Sequence, residues 1–395
     1  MNKKIIILKN SEDHFWYSLN IIEASIVEAI HSSTIAIEIF DIQAKLNDSQ
    51  IEKLKLLSRD HSLYFYYLSD SLSIVGLTEE LKKLGRFTYL IPIYGNMTIE
   101  TERWTKLNNI LKGEKVLLLC ASERSVKQVS ALVQNKEAVK LLPYPFEMDS
   151  KTLKKDNITR FIYAGRITTG KNILDLMEVF SKALYFREDI ELHIAGQFHD
   201  RGQHFHGYQV PIEKLKERFF LYFTGLQSKI IYHGNLSQDD LFQLYGKMDV
   251  FCSASTYHDE DFGVSAAQAG LSGLHLLLSD WGGHADFPQA ELVKVEVDDL
   301  CIPQISKESL LKKILKLKKT SQQFDHTELR NYLSFKSFNE RLENIINKEG
   351  ILFEGLSSTY LDFCEASKKS APFFENTPKT RSLYHRIYDS YLGCD

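Results

Sequence analysis

The feature that most restricts the fold of this chain is a recurring alternation. Short, mainly apolar runs alternate with stretches that carry apolar residues at helical spacing. Runs of that kind suit strands buried on both faces, and the helices between them supply the crossovers that a parallel sheet needs. Strands are predicted at residues 5–8, 63–68, 88–93, 116–120 and 139–142, with helices at 19–30, 77–84, 99–111 and 123–133. Pro143 and Pro145 interrupt the series, and the polar stretch 146–157 reads as a linker. The alternation then resumes, with strands at 161–164, 192–195, 230–233, 250–253, 276–278 and 293–297. Helices fit at 173–184, 238–246, 263–272 and 307–317. The pattern predicts two doubly wound α/β domains, residues 1–148 and 149–323, followed by a helical segment over 324–395. In that last segment Tyr384, Tyr388 and Tyr391 form an aromatic stripe at near-helical spacing, which reads as packing.

Composition narrows the function classes. At 395 residues, 44% hydrophobic and 25% charged, the chain has the balance of a globular protein with room for two cores. Its formal net charge of -4 argues against broad electrostatic binding to nucleic acid or an anionic membrane. Five cysteines at wide spacing form neither a disulfide framework nor a zinc pattern, and Cys120 and Cys252 fall in apolar runs that suit buried thiols. The apolar run near the amino end is too short for a signal-peptide core or a membrane span, so a cytoplasmic location is expected. The histidines at 199, 204 and 206 share one loop and read as ordinary loop residues rather than as a metal site. Lys312, Lys313, Lys316, Lys318 and Lys319 read as the solvated face of an amphipathic helix. Trp104, Leu107, Ile110 and Leu111 read as core, with contact to a membrane surface as the alternative.

Ligands of open α/β sheets bind outside the carboxyl ends of the strands. In the second half, Gly165 and Arg166 stand just past a predicted strand, and Lys171 opens the next helix. Two cations beside a helix N-terminus suit a diphosphate, although an Arg and a Lys in a loop are also a common solvated pair. Past the strand at 250–253, the loop His258-Asp259-Glu260-Asp261 leads into Phe262, Gly263 and Val264. There a carboxylate can accept from sugar hydroxyls and the free amides can meet a phosphate, or the acids can simply favour the helix dipole. Gln268 lies farther along the same helix, and Asp280-Trp281-Gly282-Gly283 forms a glycine turn after the following strand. His14 follows the first strand, where it is either a contact to acceptor or donor phosphate in a cleft or a plain surface histidine.

Four segments in order, GRITTGKNILDLMEVFSKAL, LHIAGQ, IIYHGNLSQDDLFQLYGKMDVFCSAS and EDFGVSAAQAGLSGLHLLLSDWGG, resemble the donor domain of retaining GT-B glycosyltransferases of family 4. The likeness spans about residues 158–320. It implies two Rossmann-like domains facing a cleft, with the C-terminal helices packing back across them. It implies transfer of a sugar, with retention, from a UDP- or GDP-linked donor to a hydroxyl of a glycan, a lipid-linked one included. No metal or other cofactor is implied, and no nucleic acid. The setting implied is surface polysaccharide synthesis in the cytoplasm, with weak peripheral contact at the inner face of the membrane. Arg166 and Lys171 would hold the donor diphosphate, Glu260 would touch the sugar hydroxyls, and Gln268 the ribose. Gly165, Phe262, Gly263, Val264, Gly282 and Gly283 complete the implied donor site. Three departures bear on activity: Gln268 stands where the family usually has Glu, residues 9–14 lack a Gly-Gly turn, and residues 94–96 lack a histidine. They leave open a non-catalytic accessory or binding subunit and, more distantly, a nucleotide-sugar epimerase of the same fold.

Overall fold

The computed structural model describes residues 2–10, 17–42, 45–68, 73–95, 97, 101–148, 157–199, 212–226, 228–258, 260–297, 302–318, 326–348, 350–368, 382–383 and 386–391. The chain divides into two compact units, Met1–Phe146 with Tyr332–Lys368 and Glu147–Asn331 with Lys369–Asp395.

The first unit begins with β1 (Asn2–Asn10), α1 (Tyr17–His31), β2 (Ala36–Ile42), α2 (Asp48–Asp60), β3 (His61–Leu68) and α3 (Ser73–Leu84). It continues with β4 (Thr88–Pro92), α4 (Thr101–Leu111), β5 (Lys115–Cys120), α5 (Glu123–Leu132) and β6 (Val139–Leu141). All pairings are parallel and the strand order is β2-β1-β3-β4-β5-β6. Ile5, Ile6 and Ile7 of β1 are fully buried, as an uninterrupted apolar run in a strand covered on both faces must be. Trp104, Leu107 and Leu111 of α4 are buried, so packing is what that stripe does.

Two elements here, β2 and α2, lie where the periodicity predicts nothing. The strand β2 is at the sheet edge, and Phe40 is its one buried residue among those described. In α2, Leu54 alone is buried. Its start is set instead by a capping box: Asn47 Oδ1 accepts from the Gln50 amide, and Gln50 Oε1 accepts from the Asn47 amide, both at 2.9 Å.

In the second unit the series runs β7 (Thr159–Ala164), α6 (Ile173–Ala183), β8 (Ile190–Ala195), α7 (Ile212–Leu226), β9 (Ile230–Gly234) and α8 (Gln238–Tyr245). Then follow β10 (Val250–Ser253), α9 (Val264–Leu271), β11 (His275–Ser279), β12 (Glu291–Val293), β13 (Val295–Val297), β14 (Pro303–Ile305) and α10 (Lys307–Lys316). The main sheet is parallel, in the order β12-β11-β10-β7-β8-β9. From β7 the chain builds outward through β8 and β9, then returns to build the other way through β10, β11 and β12. The topological switch point therefore falls between β7 and β10.

One strand prediction needs correction. Residues 293–297 are two strands rather than one, because the chain leaves the sheet at Lys294. The Val293 carbonyl still accepts from the Asp280 amide, whereas the Lys294 carbonyl accepts from Ser306, and β13 pairs antiparallel with β14. Helix α7 is a further element that the sequence reading omits.

The lysines of α10 behave as a solvated face. Leu310 and Ile314 are buried, Lys307 reaches Asp175 and Glu178 at 2.7 Å, and Lys313 reaches Glu291 at 3.0 Å. Helix α11 (Thr327–Leu333) precedes α12 (Phe335–Asn347) and α13 (Ser358–Lys368), both of the first unit. There Asn339 donates to the Ala29 carbonyl at the end of α1. In the second unit Tyr388 and Tyr391 are buried against Trp281, with ring centroids 6.3 and 5.5 Å away. Cys120, Cys252 and Cys364 are buried free thiols, while Cys301 and Cys394 lie outside the described residues.

Candidate functional site

The switch point brings the loop after β7 against the loop after β10. Asn172 joins them, its side-chain amide donating to the Ala254 carbonyl and to Thr256 Oγ1, both at 2.9 Å. The Thr256 amide donates back to the Gly170 carbonyl at 3.0 Å. Asn172 adopts the left-handed conformation at φ 52°, which Asn tolerates better than most residues and which starts α6 from that point.

Lys171 and Glu260, 89 residues apart in sequence, form an ion pair between Nζ and Oε2. The same carboxylate oxygen accepts from Ser255 Oγ at 2.5 Å. Arg166 adds a second cation beside this pair, and the Asp261 carboxylate also acts on Lys171. Its guanidinium carbon lies 5.3 Å from the centre of the Tyr257 ring, and Lys171 Nζ lies 5.0 Å from it. The quadrupole of that ring attracts both cations. Burial by itself would push the Glu260 carboxyl upward, but Lys171, His284 in its protonated form and the hydrogen bonds from Lys171 and Ser255 hold it down at about 2. Glu260 is therefore an anion at neutral pH, although it is only 6% exposed. Burial presses the Lys171 ammonium below its ordinary value, opposed by Glu260 and reinforced by Arg166.

The glycine turn seats this cluster from the far side. The Gly283 amide donates to the Glu260 carbonyl at 2.7 Å. A Cβ on Gly283 would fall 2.1 Å from the Asp261 carbonyl oxygen, so only glycine permits the approach. Trp281 Nε1 donates to the Tyr257 carbonyl at 2.7 Å. Gly263 sits at φ 100° as the N-cap of α9, an arrangement suited to glycine, and leaves the first amides of that helix without helical partners.

Thus Gly165, Arg166, Lys171, Glu260, Gly263, Val264, Gly282 and Gly283 all stand at the carboxyl ends of β7, β10 and β11 or at the start of α9. Phe262 turns inward, its ring 5.2 Å from Phe287, so its side chain anchors the turn. Gln268 lies on the second turn of α9, 3% exposed, and among the described residues its carboxamide makes no hydrogen bond. His258 is buried with its ring 4.3 Å from Tyr257. His14, Asp259, His204 and His206 lie outside the described residues. Among the described residues no group of three or more His, Cys, Asp or Glu side chains is placed to hold a metal ion.

Four participants escape the sequence reading: Ser255, Tyr257, Ser279 and His284. Ser279 donates to the Ser255 carbonyl at 2.6 Å and meets His284 Nδ1 at 3.2 Å. His284 Nε2 in turn faces Glu260 Oε1 at 3.7 Å. The one sequence signal for them is position, since each stands within a few residues of a strand end or of the glycine turn.

Two doubly wound parallel sheets, the second with a cationic cluster at its switch point, place the chain among proteins of the GT-B fold. Residues 146–336 match the family model of the glycosyl transferases group 1. Solved structures agree on the fold. Sucrose-phosphate synthase from Thermosynechococcus elongatus superimposes with a TM-score of 0.61 at 13% identity, over 88% of this chain and 98% of its own. HepE from Anabaena, solved with UDP and glucose, gives 0.59 at 12% identity over 88% and 100%. A glycosyltransferase from Rickettsia africae gives 0.56 at 16% identity over 88% and 100%. No curated protein sequence matches the chain.

Proposed function

We propose that the chain is a retaining glycosyltransferase that moves a hexose from a nucleotide-diphosphate sugar to a hydroxyl of a glycan acceptor. The observation that carries this reading is the cluster of Arg166, Lys171 and Glu260 at the switch point. Two cations side by side suit a diphosphate, and the amides at the start of α9 act in the same sense. In the reaction the bond from the anomeric carbon to the diphosphate oxygen breaks and a bond to the acceptor oxygen forms. The acceptor's proton leaves with the diphosphate. Arg166 and Lys171 offset the charge that grows on the leaving group, and Glu260, ionised at neutral pH, orients the sugar through its hydroxyls. This chemistry calls for no metal.

The solved relatives that hold UDP or a UDP-sugar favour a UDP-linked donor, with GDP as the other candidate base. Gln268 would meet the ribose through its uncharged amide. Among the described residues no helix is long and apolar enough to cross a membrane. We place the reaction in the cytoplasm, at the inner membrane face where the acceptor is lipid-linked, and in surface polysaccharide synthesis. The domain division we propose puts donor binding in residues 149–323 and acceptor binding in 1–148.

The test is a screen of UDP- and GDP-linked hexoses by calorimetry and donor hydrolysis, repeated with Arg166→Ala and Glu260→Ala. Each substitution is expected to cut turnover at least ~100-fold, the scale of losing one strong electrostatic contact. Unchanged turnover in both variants would sink these roles, and binding without any turnover would favour a non-catalytic subunit.

A further inference from the structure

The contacts of Glu260 close into a ring. Ser255 Oγ donates to Glu260 Oε2, and Ser279 Oγ donates to the Ser255 carbonyl. His284 lies between Ser279 and Glu260, 3% exposed. The tautomer of His284 follows from the number of hydrogens available. A carbonyl can only accept, so the single hydroxyl hydrogen of Ser279 is committed to Ser255, and at 3.2 Å the imidazole must donate from Nδ1. In the neutral ring Nε2 then carries a lone pair. It faces Glu260 Oε1 at 3.7 Å, too far for a hydrogen bond between them.

Burial favours the neutral ring, and so does Lys171, although Glu260 opposes them. The positive end of α9 acts in the same direction, because Gly263 caps that helix against the ring. A Cβ on Gly263 would stand 2.8 Å from Nε2. Two acceptors therefore stand 3.7 Å apart beside a helix N-terminus. Glu260 Oε2 is engaged by Lys171 and Ser255, whereas Oε1 and Nε2 make no hydrogen bond among the described residues. One hydroxyl has one hydrogen to give and cannot serve both acceptors. Two neighbouring hydroxyls can, each donating to one of them.

We propose that His284 determines specificity, its Nε2 and Glu260 Oε1 together receiving two adjacent hydroxyls of the donor sugar. This rests on the glycosyltransferase reading above. It selects a donor with a free vicinal diol over one in which either hydroxyl is missing or blocked. Protonation of His284 turns Nε2 from an acceptor into a donor, so its share of the sugar recognition is lost on the acid side.

The experiment compares UDP, GDP, a panel of UDP- and GDP-linked hexoses and, for the tightest of these, its monodeoxy forms. Binding is followed by calorimetry from about pH 8 to about pH 5. In the wild type, removal of either paired hydroxyl is expected to weaken binding about 10-fold, the scale of one neutral hydrogen bond. In His284→Phe the sugar nucleotide should weaken by a similar factor and no longer be distinguished from one of the deoxy forms, while nucleoside diphosphate binding is retained. His284→Gln, which keeps an acceptor but does not titrate, should retain selectivity and lose the acid limb. Discrimination in His284→Phe equal to wild type overturns the assignment, as does an unaltered acid limb in His284→Gln. Failure of any nucleoside diphosphate or nucleotide sugar to bind the wild type overturns the glycosyltransferase reading and this one with it.

Discussion

Replacing Lys171 by Met tests the buried ion pair most directly, because it leaves the Glu260 carboxylate in place without its cation. In the native protein that carboxyl titrates at about 2 instead of 4.5, which corresponds to about 3 kcal/mol of stability. The sign follows from the depressed value. The contribution is complete above about pH 4.5 and is lost as the pH falls through about 2. Removing one partner of a buried pair typically costs 3–5 kcal/mol, since the remaining charge is desolvated without compensation. For a unit of this size, Lys171→Met is expected to lower the melting temperature by about 10 °C. The double variant Lys171→Met/Glu260→Gln should recover much of that loss, because the orphaned charge is gone. The pH dependence should also invert. The unpaired carboxyl of Lys171→Met is raised by burial, so that variant should gain stability relative to wild type as the pH falls from about 7 to about 5. Thermal scanning of wild type, both single variants and the double variant across that range gives the coupling energy. Strictly additive effects, or a Lys171→Met protein with the pH profile of wild type, would refute the claim that these two charges hold each other.

Two further outcomes follow from the same geometry. Gln268→Glu should tighten donor binding several-fold if the side chain meets the ribose, a charged acceptor making the stronger hydrogen bond. Equal calorimetric affinities would place Gln268 away from the ribose. Gly283→Ala should lower both the melting temperature and donor affinity, because its Cβ would fall 2.1 Å from the Asp261 carbonyl oxygen and force the loop off the Glu260 carbonyl. Its cost should exceed about 2 kcal/mol, and a protein as stable as wild type would contradict the packing described.

Most strands were legible because their signal is local. A run such as Ile5–Ile7 is buried on both faces of its sheet and carries no polar alternation to confuse it. Where burial is thin the signal fails, as in β2 at the sheet edge and in α2 with its single buried leucine. The Asn47 and Gln50 capping box could have marked α2, since it depends on spacing rather than hydrophobicity. The break at Lys294 was illegible for another reason. Valines recur on both sides of it, at 293, 295 and 297, and only the pairing of β13 with β14 shows that the chain has left the sheet.

For the site, residue type and place after a strand end already mark the positions that can carry charge and the loops that hold them. Arg166, Lys171 and Glu260 each follow a strand end, and Gly263 and Gly283 mark turns that only glycine suits. Tertiary structure decided which of these groups meet. Strand order differs from chain order, and with β7 placed beside β10, Lys171 is carried across 89 residues to Glu260. The ring of Glu260, Ser255, Ser279 and His284 exists only because two neighbouring parallel strands, β10 and β11, end side by side. Its hydrogen-bond directions, the tautomer of His284 and the low pKa of Glu260 all arise from that juxtaposition. No spacing in the sequence encodes them, because they depend on distances between atoms that the fold alone brings together.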